Sequence, residues 1–565
     1  MSTRTSSARC LAIGIACAIA APIASADAQG QRFEVTVAQS AHQGPLTGRL
    51  IIVVSKKEKP EPRLAISPNG PALYGMDLNQ LAPGASAVLD DGANGYPVSL
   101  KELPAGDYFV EAVVNVYEQV HRADGHDTWV HMNDGRVDFF NFAPGNLYSD
   151  VQKVHIGDGG TVKLEVSHVI PDEGRPADTQ WMKHVKIQSQ LLTKFWGRPV
   201  FVLADVLLPA GYDTHPNVRY PSIYALGHAP VPFDFSPDSA DSLRGGEQNP
   251  IEQRRGAHIT RVRGVESGHD FYKSWISPKF PRVIAITLEQ ETPYFPDSYS
   301  MNSANNGPYG DAITQEVIPY LESHFRIIGK PYARQLEGAS TSGWQTLALQ
   351  LHYPDFFGGG WVLQPDPIDF RHYQLTNIYE DSNAFEIPNG QLTQTERPFE
   401  RTTEGQPILS TRALSRFEDV LGSHGRSGYQ LEAWEAVYGP VGPDGYPVPL
   451  WDKHTGKIDK NVAAYMRDHG FDLRYYAAQN WSTLGPKLTG KLHFFAGDMD
   501  NFYLDLAVYD FQDFLESQHF DADFTYGRPK KGHSWHSFTW AEMVQKMADA
   551  VKREAPKGEK GGWEY

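Results

Sequence analysis

EGASTSGW, Glu337 to Trp344, sets a serine among small residues where a strand-like stretch gives way to a helical one. So sharp a turn holds its central residue in a strained backbone conformation that only small neighbours tolerate. Gly338 and Ser342 leave that room, and the spacing predicts that Oγ of Ser340 projects clear of the strand end. Downstream, TSGWQTLALQLHYPDFF carries Trp344, Leu347, Ala348 and Leu351 at helical spacing, with Pro354 closing the run. Free N–H groups at the start of that helix favour an anion. Ser340 is therefore the candidate nucleophile, and the backbone amide of Thr341 a candidate oxyanion donor.

A lone pentapeptide of this kind arises by chance, and Ser342 stands where the G-x-S-x-G pattern has glycine. Two later segments give it context. KLHFFAGDMDNFYLDLAVYDFQDFLE predicts a strand from Leu492 to Ala496, a G-x-x-D turn, and a helix burying Leu504, Val508, Phe511 and Leu515. Asp500, fourth from Gly497, is the candidate acid in preference to Asp498. GRPKKGHSWHSFTWAEMVQKM then places His533 in a loop before a helix with Trp540, Val544, Met547 and Val551 on one face. His533 is the candidate base; His536, beside the helix start, reads as structural. Serine, aspartate and histidine follow in the chain order of the α/β-hydrolase triad.

With VLLPAGYD (Val206 to Asp213), RYPSIYALGH (Arg219 to His228), NNGPYGDAITQEVIPYLESHFRI (Asn305 to Ile327), HYPDFFGG, GDMD and GHSW, these motifs resemble the putative-esterase family of α/β-hydrolases. Its members include S-formylglutathione hydrolases, feruloyl and enterochelin esterases and mycolyltransferases. The resemblance covers about the last two thirds of the chain. It implies a mostly parallel sheet flanked by helices, and a serine carboxylic-ester hydrolase working through an acyl-enzyme with Ser340, Asp500 and His533. A second oxyanion donor is then expected from GHAPVP, where Pro230 and Pro232 lack an N–H; Ala229 is preferred. This chemistry calls for no metal and no organic cofactor. An acyltransferase with the same triad, or a non-catalytic polysaccharide-binding protein, are the alternatives. Ser342 at the elbow and the ionisable Glu337 at a buried strand end depart from the family pattern.

Composition points to an exported protein. Residues 1–28 combine two arginines, an apolar run from Leu11 to Ala24, and small residues at Ala24, Ala26 and Ala28, as in a signal peptide cleaved after Ala26 or Ala28. Both cysteines, Cys10 and Cys17, fall within it, so no disulfide is expected in the mature chain. The net charge of −17 makes nucleic acid and anionic lipid poor partners, and no later stretch reads as a membrane span. A small-molecule or polysaccharide-linked ester is the expected substrate, in the periplasm or outside the cell.

From 31 to 172 the pattern changes. FEVTVA, GRLIIVVS, DYFVEAVVNVYEQV and TVKLEVSHVI alternate with period two between PNGP, DDGANG, LPAGD and GDGG, predicting an all-β sandwich. It reads equally as a carbohydrate-binding module or as an appendage packed on the catalytic domain. His121, Asp124, His126, Asp127 and His131 fit no compact zinc spacing and read as a hairpin loop. The hydrolase domain is expected over 180–555, interrupted at about 373–487 by an insertion, and followed by a polar tail, 556–565. Trp434, Tyr438, Tyr446 and Trp451 of the insertion read as an aromatic lid or acyl-binding wall over the site, or equally as rings that only hold a large cap together. Tyr438, Trp451 and Trp535, the last expected beneath the His533 ring, are the candidate substrate-binding residues.

Overall fold

Eight strands form the sheet that carries the serine: β1 Met182–Ser189, β2 Val200–Leu207, β3 Ser222–Ala225, β4 Ile284–Glu289, β5 Arg334–Ser340, β6 Gly359–Pro365, β7 Leu492–Gly497 and β8 Asp523–Gly527. The computed structural model describes residues 30–132, 139–157, 159–227, 231–238, 266–388 and 392–565. The strands are hydrogen-bonded in the order β1-β2-β4-β3-β5-β6-β7-β8. β2 runs antiparallel to β1 and to β4, and every later pairing is parallel. Helices cover both faces, so the central strands are apolar throughout; all six residues of β7, LHFFAG, are buried. Alternation sends Phe494 to one layer, with Trp344, Leu347 and Phe511, and Phe495 to the other, with Trp540, Met543 and Met547. Burying one such ring contributes about 1.5–3 kcal/mol. Ser340, Asp366 and Asp500 all lie at or just beyond the C-terminal ends of β5, β6 and β7, the edge where ligands of such sheets bind.

The N-terminal strands form a sheet of their own, in the order Ser86–Leu89, Gln31–Val37, Gly160–Val169, Leu147–Ser149, Gly106–Val116, Leu46–Ser55, Ala72–Leu81, Asn94–Tyr96. It forks at Gly106–Val116, whose first half pairs with Gln152–Ile156 and whose second half pairs with Leu147–Ser149. The branches fold into two layers sharing one core, which joins Phe33, Leu89 and Leu164 to Ile52, Tyr74 and Val110. His121 and Asp127 meet at 2.5 Å across the hairpin Glu118–His121/Asp127–Val130.

Between β6 and β7 lie four longer helices. Leu473–Leu488 packs on Thr341–His352 and Asp505–Ser517, while the helices before it form an extra segment over the sheet. Its helix Thr411–Leu421 packs on the outer face of the β-sandwich. There Arg49, itself buried, donates to the last-turn carbonyls of Val420 (2.8 and 3.0 Å) and Asp419 (3.0 Å), which have no partner within the helix. Gly75 permits the contact, since a Cβ on it would stand 2.1 Å from the Val420 oxygen. Phe417 meets Tyr96 edge-on at 5.4 Å. Among the described residues no helix is long and apolar enough to cross a membrane. Residues 1–28, read as a signal peptide, lie outside the described residues.

Candidate active site

Ser340 closes β5 with φ 61° and ψ −123°, a conformation that costs a non-glycine residue on the order of 1–3 kcal/mol. The next residue starts the helix Thr341–His352, buried along its length except at His352. Close packing holds the turn. A Cβ on Gly338 would lie 2.4 Å from the Ser342 carbonyl oxygen, and one on Gly343 would lie 2.5 Å from that of Leu363 in β6. Ser342 is buried without disturbing the turn, because the glycine that brings the helix against β6 is the next residue, Gly343.

The loops after β7 and β8 are tied together. Met499 N–H donates to the Lys531 carbonyl (2.9 Å), Lys531 N–H to Asp498 Oδ1 (2.9 Å) and His533 N–H to Asn501 Oδ1 (3.0 Å). Asp498 is thus a loop brace. Asp500, fully buried, accepts from His533 Nδ1 through Oδ2 at 2.7 Å, while its Oδ1 accepts from the Phe502 and Leu504 amides at 2.8 and 3.3 Å. With Nδ1 donating, Nε2 is the nitrogen left to take a proton. Burial alone pulls the His533 pKa down, but the charge and hydrogen bond of Asp500, helped by Asp366 and Glu400, outweigh it and leave it above the ordinary histidine value. His536 faces away: Nδ1 bonds the Phe538 carbonyl at 2.5 Å and its ring stacks on Phe538.

A third carboxylate, which no motif announced, sits in the loop after β6. Asp366 is 3% exposed. Its Oδ2 accepts from Tyr299 Oη (2.7 Å), Thr341 Oγ1 (3.1 Å), Gln430 Nε2 (3.1 Å) and Trp434 Nε1 (3.1 Å). Its Oδ1 takes a long bond, 3.4 Å, from Ser340 Oγ. Burial raises its pKa against the pull of these donors. Behind it Asp297 is pushed up to about 7, mainly by burial, although it accepts from Gln345 Nε2 and the Tyr299 amide.

The expected aromatic wall is arranged differently. Tyr438 and Trp451 are core residues: Tyr438 packs between Trp344, Tyr299 and Phe370, and Trp451 donates to Ser415 Oγ at 3.0 Å. Trp434 alone of the four named aromatics bonds a residue of the site. Trp535 covers Gly527 at the end of β8, where a Cβ would lie 2.3 Å from its ring, and the ring edge-on to His533 at 5.0 Å is Phe502. Ala229 lies outside the described residues. The only sequence signal for Asp366 was its place in QPDPIDF, directly after a strand end.

Residues 202–363 match the model of a family described as "Putative esterase". No curated protein matches the chain. Among solved structures, an S-formylglutathione hydrolase from Staphylococcus aureus is 14% identical, with 66% of this chain and 99% of that one covered and a TM-score of 0.31. For a ferulic acid esterase from Anaeromyces mucronatus the values are 12%, 67%, 93% and 0.28. At such scores the likeness carries no weight of its own; strand order and the family match carry it. The matched span runs from β2 to β6 and contains Ser340. The sheet has the strand order of an α/β-hydrolase, and the stretch that carries Ser340 is similar to putative esterases.

Proposed function

We propose that the protein is an exported esterase that works through an acyl-enzyme on Ser340. The observation behind this reading is the 2.7 Å bond from His533 to a fully buried Asp500, in a sheet whose strand β5 ends on a strained serine. In the first step Ser340 Oγ leaves Asp366 for His533 Nε2, gives up its proton there and attacks the ester carbonyl. Asp500 holds the imidazole tautomer and stabilises the imidazolium that forms. Thr341 N–H at the helix start takes the oxyanion, and Ala229 is the second donor expected from the sequence. The imidazolium protonates the departing alcohol, and water, deprotonated by the same histidine, releases the acid. A fluorophosphonate probe tests the assignment: it should label Ser340 alone and block turnover of a p-nitrophenyl ester. Labelling elsewhere would refute it, and release of labelled enzyme from periplasm or medium tests export.

A further inference from the structure

We infer that Asp366 is a specificity-determining residue: it makes the site select esters whose acyl group carries a protonated amine beside the scissile carbonyl. This rests on the reading of Ser340 as the nucleophile. Four donors saturate Oδ2, and all four are neutral: a phenol, a hydroxyl, an amide and an indole. Oδ1 is different. Among the described residues its one hydrogen-bond partner is Ser340 Oγ, at 3.4 Å, so that oxygen points to where the acyl group is attached. A fixed negative charge there opposes the oxyanion that grows on the same carbonyl, and in a buried site little solvent screens it.

A substrate that brings its own positive charge reverses the sign. An ammonium on the carbon next to the carbonyl lies between Oδ1 and the developing oxyanion, meets the one unsaturated lone-pair side of Asp366, and replaces the Ser340 hydroxyl as that hydroxyl swings to His533. An acyl group ending in a carboxylate meets like charge instead. Two of the Oδ2 donors, Gln430 and Trp434, come from the helix Gln430–Tyr438 of the extra segment, which ties this preference to the part of the chain inserted over the sheet.

Phenyl esters of glycine, propionic acid and malonic acid offer acyl groups of similar size that are cationic, neutral and anionic at neutral pH. The wild type should hydrolyse them in that order, with kcat/KM falling about tenfold or more at each step. Asp366→Asn, which keeps the shape and removes the charge, should bring the glycyl-to-propionyl ratio to within about threefold. A second measurement needs no variant: glycinamide should protect wild-type Ser340 from fluorophosphonate at about a tenth of the concentration that propionamide needs. Ester turnover with no charge preference, or a preference that Asp366→Asn leaves intact, overturns the inference and spares the esterase reading. Turnover of none of the three esters, or labelling away from Ser340, overturns both.

Discussion

The neighbouring strands β6 and β7 each end in a loop with a buried aspartate, and the two loops hold it by opposite means. After β7, Asp500 is fixed by amides of its own loop, Phe502 and Leu504, two and four residues away, which leaves Oδ2 for His533. After β6, Asp366 is held by side chains from three distant parts of the chain, Tyr299, Thr341 and the Gln430–Trp434 turn. One carboxylate is a local construction aimed at an imidazole. The other is a tertiary construction aimed at Ser340.

In the proposed mechanism both loops serve Ser340, so the largest effect should come from removing it. Ser340→Ala should lower ester turnover by about 10⁴-fold or more with the fold retained, since the side chain is small and its turn is held by Gly338 and Gly343. Steady-state kinetics and circular dichroism check it; normal turnover would mean that neither loop serves this serine.

Next in size, Asp500→Asn should cost on the order of 10⁴ in kcat, because an amide presents the wrong partner to Nδ1 and turns the ring to the wrong tautomer. Asp498→Asn should cost far less, as its Oδ1 only braces the Lys531 amide. His533→Ala should match Asp500→Asn, with His536→Ala close to wild type in rate. If Asp500→Asn proves mild and Asp366→Asn abolishes turnover, the roles of the two loops are exchanged and the acid belongs to β6.

How the two aspartates are held also decides what could be read from the sequence. G-x-x-D after an apolar strand singled out Asp500, whose amide donors lie within four residues of it. The turn at Ser340 was legible for the same reason, although the close approach to β6 falls to Gly343 rather than to the residue in the usual glycine position. Period-two patterning gave the sandwich and its turns. Asp366 had no local signature: Tyr299 precedes it by 67 residues and Trp434 follows by 68, and only the fold joins them. Tyr438 and Trp451 pack in the core, and the sequence could not show which of the two readings holds, since aromatic content marks a segment as packed but not which ring faces the site.

A smaller effect tests the remote construction directly. Trp434→Phe removes a donor that Tyr299 Oη (2.8 Å) and Asp366 Oδ2 (3.1 Å) share and leaves the ring packed against Tyr373, so it should destabilise the fold by about 1–3 kcal/mol. The midpoint of urea unfolding measures it. No comparable side-chain change touches the Asp500 cradle, whose donors are backbone. An unshifted midpoint would mean that the three remaining donors suffice and that the β6 loop is less dependent on the extra segment than its geometry indicates.

The smallest effect is a shift in pH dependence, and it reads both loops through the same histidine. His533 must be neutral to accept the proton of Ser340, so kcat/KM should fall as pH drops through its pKa. Burial lowers that pKa, but the Asp500 charge, with Asp366 and Glu400, raises it more, so the acid limb should lie above the ordinary histidine value of about 6.5. Asp366→Asn removes one of the charges that hold the proton on, and the limb should therefore move to lower pH, with more of the enzyme active in mild acid. The direction is the same whatever the ester, which separates it from the charge selectivity tested above: the propionyl ester, with no charge of its own, is the one to measure. A limb that stays in place would leave Asp500 and Glu400, without Asp366, as the carboxylates felt by His533. Movement to higher pH would mean that Asp366 is neutral in the free enzyme and donates a proton toward Ser340, the reverse of its proposed role.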